Sequence, residues 1–210
     1  MTKKRRAEII IKELKKLFPR AKIMLRYSSP WELLVAVMLS AQCTDKQVNK
    51  VTERLFKKYT DLDDYVSASK SEFEKDIFST GFYRTKANHI LATAKIVKEL
   101  YEGQLPRTME EMVKLPGVGR KTANVVLGNA FGVIEGIAVD THVMRLSRVL
   151  GLTSKREPVK IEKDLMKIIP KSEWLRFTYL LIEYGRKYCI AKKHNHEKCP
   201  MTKIFLNSKL

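Results

Sequence analysis

Apolar residues recurring every three or four positions, capping signals ahead of those runs, and glycine or proline at their ends predict an all-α fold of about ten helices. The first run sets Ile10, Leu14, Leu17 and Phe18 on one face and stops before Pro19. Ser29-Pro30-Trp31-Glu32 then places serine at the cap, proline in the first turn and glutamate three residues on, so a helix starts near residue 30. The same spacing in Ser69/Glu72 and Thr108/Glu111 predicts helices from near 70 and 109. A central run carries Ala87, Ile90, Leu91, Ala94 and Val97, a later one Val143, Leu146, Val149 and Leu150, and the last Trp174, Phe177, Leu181 and Tyr184. Breaks fall at Gly81, at 103–106, at Pro116-Gly117, at 132–136 and at Pro170. Val133–Ile137 is apolar enough for a short strand, but a lone strand has no partner to pair with. No internal repeat, low-complexity tract or long linker interrupts the pattern.

The 210 residues carry 41 basic and 23 acidic side chains, a net charge of +18, and 44% of them are hydrophobic. That apolar share supports a packed core and excludes a disordered tail or a collagen-like rod. No apolar run nears the roughly 20 residues that span a bilayer, and Met1-Thr2-Lys3-Lys4-Arg5-Arg6 leads into mixed charge, so a soluble, intracellular, monomeric protein is expected. Three cysteines, Cys43, Cys189 and Cys199, cannot build a disulfide framework, which fits a reducing compartment. An excess of this size repels itself unless a polyanion is near, which points to nucleic acid. Thermal adaptation raises lysine and glutamate together, and here the two are out of balance. Membrane-surface binding concentrates basic residues on one amphipathic helix, whereas these lysines run through the whole chain.

Leu115-Pro116-Gly117-Val118-Gly119-Arg120-Lys121-Thr122-Ala123 lies between two helical patterns, so its glycines form a tight turn into a helix starting near Arg120. Such a turn exposes backbone N–H groups, and the positive end of the next helix favours a phosphate oxygen, a clamp for a DNA backbone. Taken alone, Gly-x-Gly reads equally as a plain helix–helix turn. Lys121 falls in the first turn of that helix, where the end potential and partial burial would lower its pKa and free a nucleophilic amine. Asp140, in Val139-Asp140-Thr141-His142-Val143, stands at another helix start. Singly, Lys121 reads as a surface lysine and Asp140 as an N-cap; His142, one turn inside a helix, reads as a structural hydrogen-bonding residue.

These two segments together resemble the endonuclease III family of helix-hairpin-helix DNA glycosylases. Ser40-Ala41-Gln42-Cys43-Thr44-Asp45 is similar to that family's base-pocket segment, Gly81-Phe82-Tyr83-Arg84-Thr85-Lys86-Ala87 to its second DNA-contacting turn, and Gly185-Arg186-Lys187-Tyr188-Cys189-Ile190-Ala191 to the start of its cluster loop. The resemblance implies two lobes, a six-helix barrel over residues 20–133 with the hairpin near 108–131, and a second lobe from residues 1–19 and 134–210, with double-stranded DNA bearing damaged bases or abasic sites lying between them. It implies Lys121 as the nucleophile that attacks C1′ of a flipped nucleotide, releases the base, and allows β-elimination through a Schiff base. It implies Asp140 as the carboxylate partner that moves protons and stabilises oxocarbenium-like charge. Gln42 and Phe82 would fill the gap left by flipping, Phe82 standing where bacterial relatives usually carry leucine. Ser40 and Asp45 would line the base pocket, Asp45 alternatively capping a helix from Lys46. Lys86, Gly117, Gly119, Arg120, Lys192 and Lys193 would meet the DNA backbone.

The family's cluster loop holds a [4Fe-4S] cluster through four cysteines spaced six, two and five residues apart, and from Cys189 that spacing arrives at His196, Cys199 and Phe205. Two thiolates are missing, so the expectation is a loop 189–205 without a cofactor, closed by packing of Ile204, Phe205 and Leu206. Zinc on Cys189, His194, His196 and Cys199 is the alternative, ahead of an unusual cluster. The expected activity is removal of oxidised pyrimidines, thymine glycol among them, in the cytoplasm or nucleoid. A mismatch-specific sister glycosylase and a non-catalytic hairpin DNA-binding protein are the competing readings; lysine at position 121 argues against the first, and Gln42, Lys121 and Asp140 together against the second.

Overall fold

A computed structural model describes residues 1–202, and every regular element among them is helical. In chain order these are α1 (Lys3–Leu17), α2 (Pro30–Leu39), α3 (Asp45–Lys58), α4 (Leu62–Ser67), α5 (Lys70–Ile77), α6 (Tyr83–Leu100), α7 (Met109–Met112), α8 (Arg120–Phe131), α9 (Thr141–Val149), α10 (Pro158–Ile168) and α11 (Trp174–Lys187). Single 3-10 turns occupy Phe78–Thr80, Lys171–Glu173 and His196–Lys198. Residues 133–137 form no strand. No helix among the described residues is long and apolar enough to cross a membrane. The described residues form two compact units, Met24–Glu135, and Met1–Ile23 together with residues 136–202.

The unit of residues 24–135 is built around α2. Every residue from Leu33 to Leu39 is buried, so this helix is apolar on all sides and must be surrounded. α3, α6 and α8 pack against it. Ser29 caps it, its hydroxyl accepting from the Glu32 N–H at 3.1 Å. An aromatic cluster fills the far side: Tyr65 meets Trp31 edge to face at 5.2 Å and lies 5.8 Å from Phe73. The Tyr59 hydroxyl donates to Asp76 at 3.0 Å, and burial is the main cause pushing its phenol up to about 12.

Two capping expectations meet different fates. Thr108 does cap α7, its hydroxyl accepting from the Glu111 N–H and donating to the Glu111 carboxylate. Ser69 makes no side-chain cap on α5, although the helix starts at Lys70 as its sequence predicts. The Ser69 hydroxyl lies 3.1 Å from that of Ser71 instead, and the Glu72 carboxylate, which a capping box would turn back to the Ser69 N–H, pairs with the Lys58 ammonium, which also holds Asp76 at 2.7 Å. The complete capping box lies instead at α4, where the Asp61 carboxylate accepts from the Asp64 N–H and Asp64 accepts from the Asp61 N–H.

In the other unit α1 and α9 pack on α11, and α10 packs on α1 and α9. Ile10, Leu14, Val143, Leu146, Phe177, Leu181 and Tyr184 fill its core, which extends to Cys189, Cys199 and Met201. Lys15 pairs with Glu173 at 2.7 Å, fastening α1 to the start of α11. Gly185 has no Cβ because the His142 ring and the Leu146 side chain occupy that space, which lets α9 and α11 approach closely. His142 thus has a packing role.

Candidate functional site

The hairpin of α7, the turn 113–119 and α8 is braced from one side by α6. Thr93 donates to the Pro116 carbonyl at 3.0 Å, and the buried Val118 donates its N–H to Leu115 at 3.1 Å. Gly117 has φ +74°, and a Cβ there would sit 2.6 Å from His89 Nδ1 and 2.8 Å from two further ring-side atoms. Its glycine is a requirement of the fold. Gly119 differs. As N-cap of α8 it has φ −88° and supplies no side-chain cap, and a Cβ there would meet nothing within 4 Å. The fold tolerates a methyl group there, while the missing one leaves an open approach to the first amides of α8.

Lys121 lies in the first turn of α8, as its sequence predicts, but it is exposed, and so is Arg120. The expected partial burial of Lys121 is not found: the buried residues of this helix begin at Ala123, and positions 120 and 121 precede them at the solvent end. Asp140 belongs to the other unit and is the N-cap of α9. Its Oδ1 accepts from the Val143 N–H at 2.8 Å, which fixes a half-buried carboxylate at a positive helix end.

The turn after α2 and the turn before α6 share an unusual backbone. Gln42 has φ +53° and Phe82 φ +49°, two of the three described non-glycine residues in the left-handed region, the third being Glu102 at φ +52°. Both Gln42 and Phe82 are exposed, Phe82 to 63%. Side chains raised on strained, exposed turns are candidates for work on another molecule. Phe78, equally exposed at 63%, stacks at 4.9 Å on Tyr83 beside Phe82, and the guanidinium of Arg84 lies 5.2 Å from the Tyr83 ring. Phe78 was missing from the sequence-derived set because a phenylalanine at a helix end reads as core.

Lys86 corrects an expectation. It is not a surface cation facing a DNA backbone: it is buried, and its ammonium donates to the Leu39 carbonyl at 2.7 Å and the Thr80 carbonyl at 2.8 Å. Burial holds its pKa below the usual lysine range, with Cys43 acting weakly the other way. The two carbonyls end α2 and the 78–80 turn, so one ammonium ties together the segments that carry Gln42 and Phe82. Gln47 adds a second tie, its amide donating to Ser79 at 2.8 Å.

Ser40 ends α2, half-buried, with its hydroxyl donating to Val37 at 2.7 Å. The cap of α3 is Thr44, whose hydroxyl accepts from the Gln47 N–H. Asp45 is the first helical residue, so the alternative reading of Asp45 as the cap of a helix from Lys46 is wrong by one position. Lys192 and Lys193 are exposed on the loop after α11. In that loop Cys189, His194, His196 and Cys199 converge, one donor atom of each lying within 4.8 Å of the others, a group able to hold a metal ion. Phe205, Ile204 and Leu206 lie outside the described residues.

A helix-hairpin-helix with an open glycine amide turn, followed by a lysine in the first helical turn, defines a base-excision type of DNA repair protein, and residues 35–171 match the model of the HhH-GPD superfamily base excision DNA repair protein. The chain is 48% identical over 203 residues to the endonuclease III of Synechocystis sp., covering 97% of this chain and 93% of that one. A non-covalent endonuclease III–DNA complex superposes with a TM-score of 0.92 at 46% identity, covering 97% of this chain and 95% of that one. A trapped endonuclease III–DNA covalent intermediate, an estranged-adenine complex, superposes at 0.91 with the same identity and coverage. The chain belongs to the endonuclease III family, DNA glycosylases that also act as lyases.

Proposed function

We propose that this enzyme binds double-stranded DNA and removes oxidised pyrimidines, thymine glycol among them, using Lys121 as nucleophile and Asp140 as its carboxylate partner. The observation that carries the reading is the exposed Lys121 one residue inside a helix whose N-cap, Gly119, leaves open space at its Cα, in a chain 46% identical to an endonuclease III trapped covalently on DNA. A phosphate against the turn 117–120 receives N–H groups and the positive helix end, which holds the backbone beside the lysine. Neutral Lys121 attacks C1′ as the bond to the damaged base breaks, and the base leaves with the electron pair and takes up a proton. The lysine nitrogen sheds its proton, the sugar opens to an imine, and loss of a C2′ proton expels the 3′ phosphate. Asp140, held in one orientation by the Val143 N–H, accepts protons from this sequence and faces the cationic sugar with a fixed negative charge. Gln42 and Phe82 fill the hole left by the extruded nucleotide, Ser40 and Asp45 meet the extruded base, and Arg120, Lys192 and Lys193 meet phosphates. Acting on genomic DNA, the enzyme works as a monomer in the cytoplasm and nucleoid.

Borohydride trapping on a duplex with one thymine glycol, comparing wild type with Lys121→Gln, tests the assignment. A covalent adduct and strand nicking in the wild type, both lost in the variant while DNA binding persists, is the expected result. An adduct that survives Lys121→Gln removes the lysine from its role, and wild-type enzyme that releases no base from this duplex removes the substrate class.

A further inference from the structure

We propose that Cys189, His194, His196 and Cys199 bind a single Zn2+ ion at the place where the family resemblance implies an iron–sulfur cluster. A [4Fe-4S] cluster of the usual kind takes four thiolates. Among the described residues this loop offers two, Cys43 lies in the other unit, and Phe205 has no donor atom. The residues present therefore do not fit the four-cysteine cluster. They do fit zinc, which accepts two thiolates and two imidazoles, and whose charge two thiolates cancel.

Two of the six donor–donor distances already match those of a tetrahedral site. With Zn–S near 2.3 Å and Zn–N near 2.0–2.1 Å, neighbouring donors in a tetrahedral site lie about 3.3–3.8 Å apart. Cys199 Sγ stands 3.3 Å from His194 Nε2, and Cys189 Sγ stands 3.8 Å from His196 Nδ1. All four donors lie within 4.8 Å, so closing the remaining edges takes about an ångström of side-chain movement.

The surroundings prepare the ligands. His194 Nδ1 lies 2.9 Å from the Lys192 carbonyl, which can only accept, so the proton sits on Nδ1 and Nε2 presents a lone pair toward Cys199. The Arg145 guanidinium donates to Cys189 Sγ at 3.5 Å and to the Cys189 carbonyl, which fixes the position of that sulfur. Cys189, Cys199 and Met201 are embedded in the core of their unit, whereas residues 190–198 between them include three exposed lysines and only one large hydrophobic residue, the exposed Ile190. That segment lacks the apolar side chains to hold itself closed, and a metal ion joining its two ends and its middle supplies the constraint. The consequence is a fixed platform for Lys192 and Lys193.

Protein expressed in medium containing both zinc and iron and purified without chelators is expected to be colourless, with one zinc per chain by elemental analysis and no absorbance near 400 nm. Cobalt substitution is expected to give the visible bands of a tetrahedral site and a thiolate-to-metal charge-transfer band. A His194→Gln/His196→Gln variant, which leaves both buried cysteines in place, is expected to lose the stoichiometric zinc, and Arg145→Gln to weaken zinc binding about 10- to 100-fold in a competition with a chelating dye. A brown protein with about four irons per chain overturns the proposal. So does folded protein with less than a tenth of an equivalent of zinc after incubation with excess Zn2+ and desalting, or full zinc retention in the double histidine variant.

Discussion

Gly117 and Gly119, separated by one residue, differ in what a side chain would meet. Gly117 adopts a left-handed φ of +74° with the His89 ring where a Cβ would go, while Gly119 has an ordinary φ of −88° and empty space at the same place. Gly117→Ala is expected to destabilise the fold by about 1–3 kcal/mol, through backbone strain and displacement of His89. Gly119→Ala is expected to change stability by no more than about 0.5 kcal/mol yet to weaken DNA binding, because its methyl group obstructs a phosphate and nothing in the protein. Urea unfolding and a DNA titration on both variants make the comparison; equal DNA affinity in Gly119→Ala and wild type counts against the phosphate clamp. The motif's role as a turn was legible from its residue types, since proline and glycine there break two helical patterns. The difference between the two glycines was not, because it depends on His89, which reaches the turn from another helix.

At the scale of elements, helix starts were legible wherever the cap is local. Those at residues 30 and 109 fall where Ser29 and Thr108 cap them, because such a cap is a contact across three residues. Ser69 shows the limit: the helix forms, but Glu72 answers to Lys58, 14 residues away. Lys86 was illegible for the same reason on a larger scale. A lysine inside a DNA-contacting motif reads as a surface cation, and nothing local records that the Leu39 carbonyl, 47 residues earlier, turns toward it. Its burial has a cost, offset by two hydrogen bonds that join the ends of α2 and the 78–80 turn. Lys86→Met keeps the apolar stem but leaves two buried carbonyls without that donor, with an expected loss of about 1–3 kcal/mol in denaturant unfolding. Freed from the tie, the turns carrying Gln42 and Phe82 are expected to lose their common placement. Single-turnover base excision then falls further than affinity for undamaged duplex; excision unchanged under conditions where the variant is fully folded removes Lys86 from this positioning role.

Over the whole molecule the chain leaves one unit after Ile23, which no glycine or proline marks, and re-enters it at Gly136, at the end of the glycine-bounded break 132–136. Charge is the molecular property that sequence exposes most directly, because it needs no fold to be counted. An excess of +18 opposes compaction, and a polyanion relieves that repulsion while releasing its own condensed counterions. The logarithm of DNA affinity is therefore expected to fall linearly with the logarithm of salt concentration, at about 0.9 per phosphate neutralised. Lys192 and Lys193 are exposed on the loop assigned here to zinc, so replacing both with alanine is expected to leave the fold intact and lower that slope by up to about 1.8. The same slope measured on zinc-depleted protein joins the two proposals. If the metal fixes the platform that presents these lysines, depletion reduces the slope toward that of the double alanine variant. If the slope stays at the wild-type value in zinc-free protein, the lysines reach phosphate without the metal, and the ion's part is confined to the stability of its own unit.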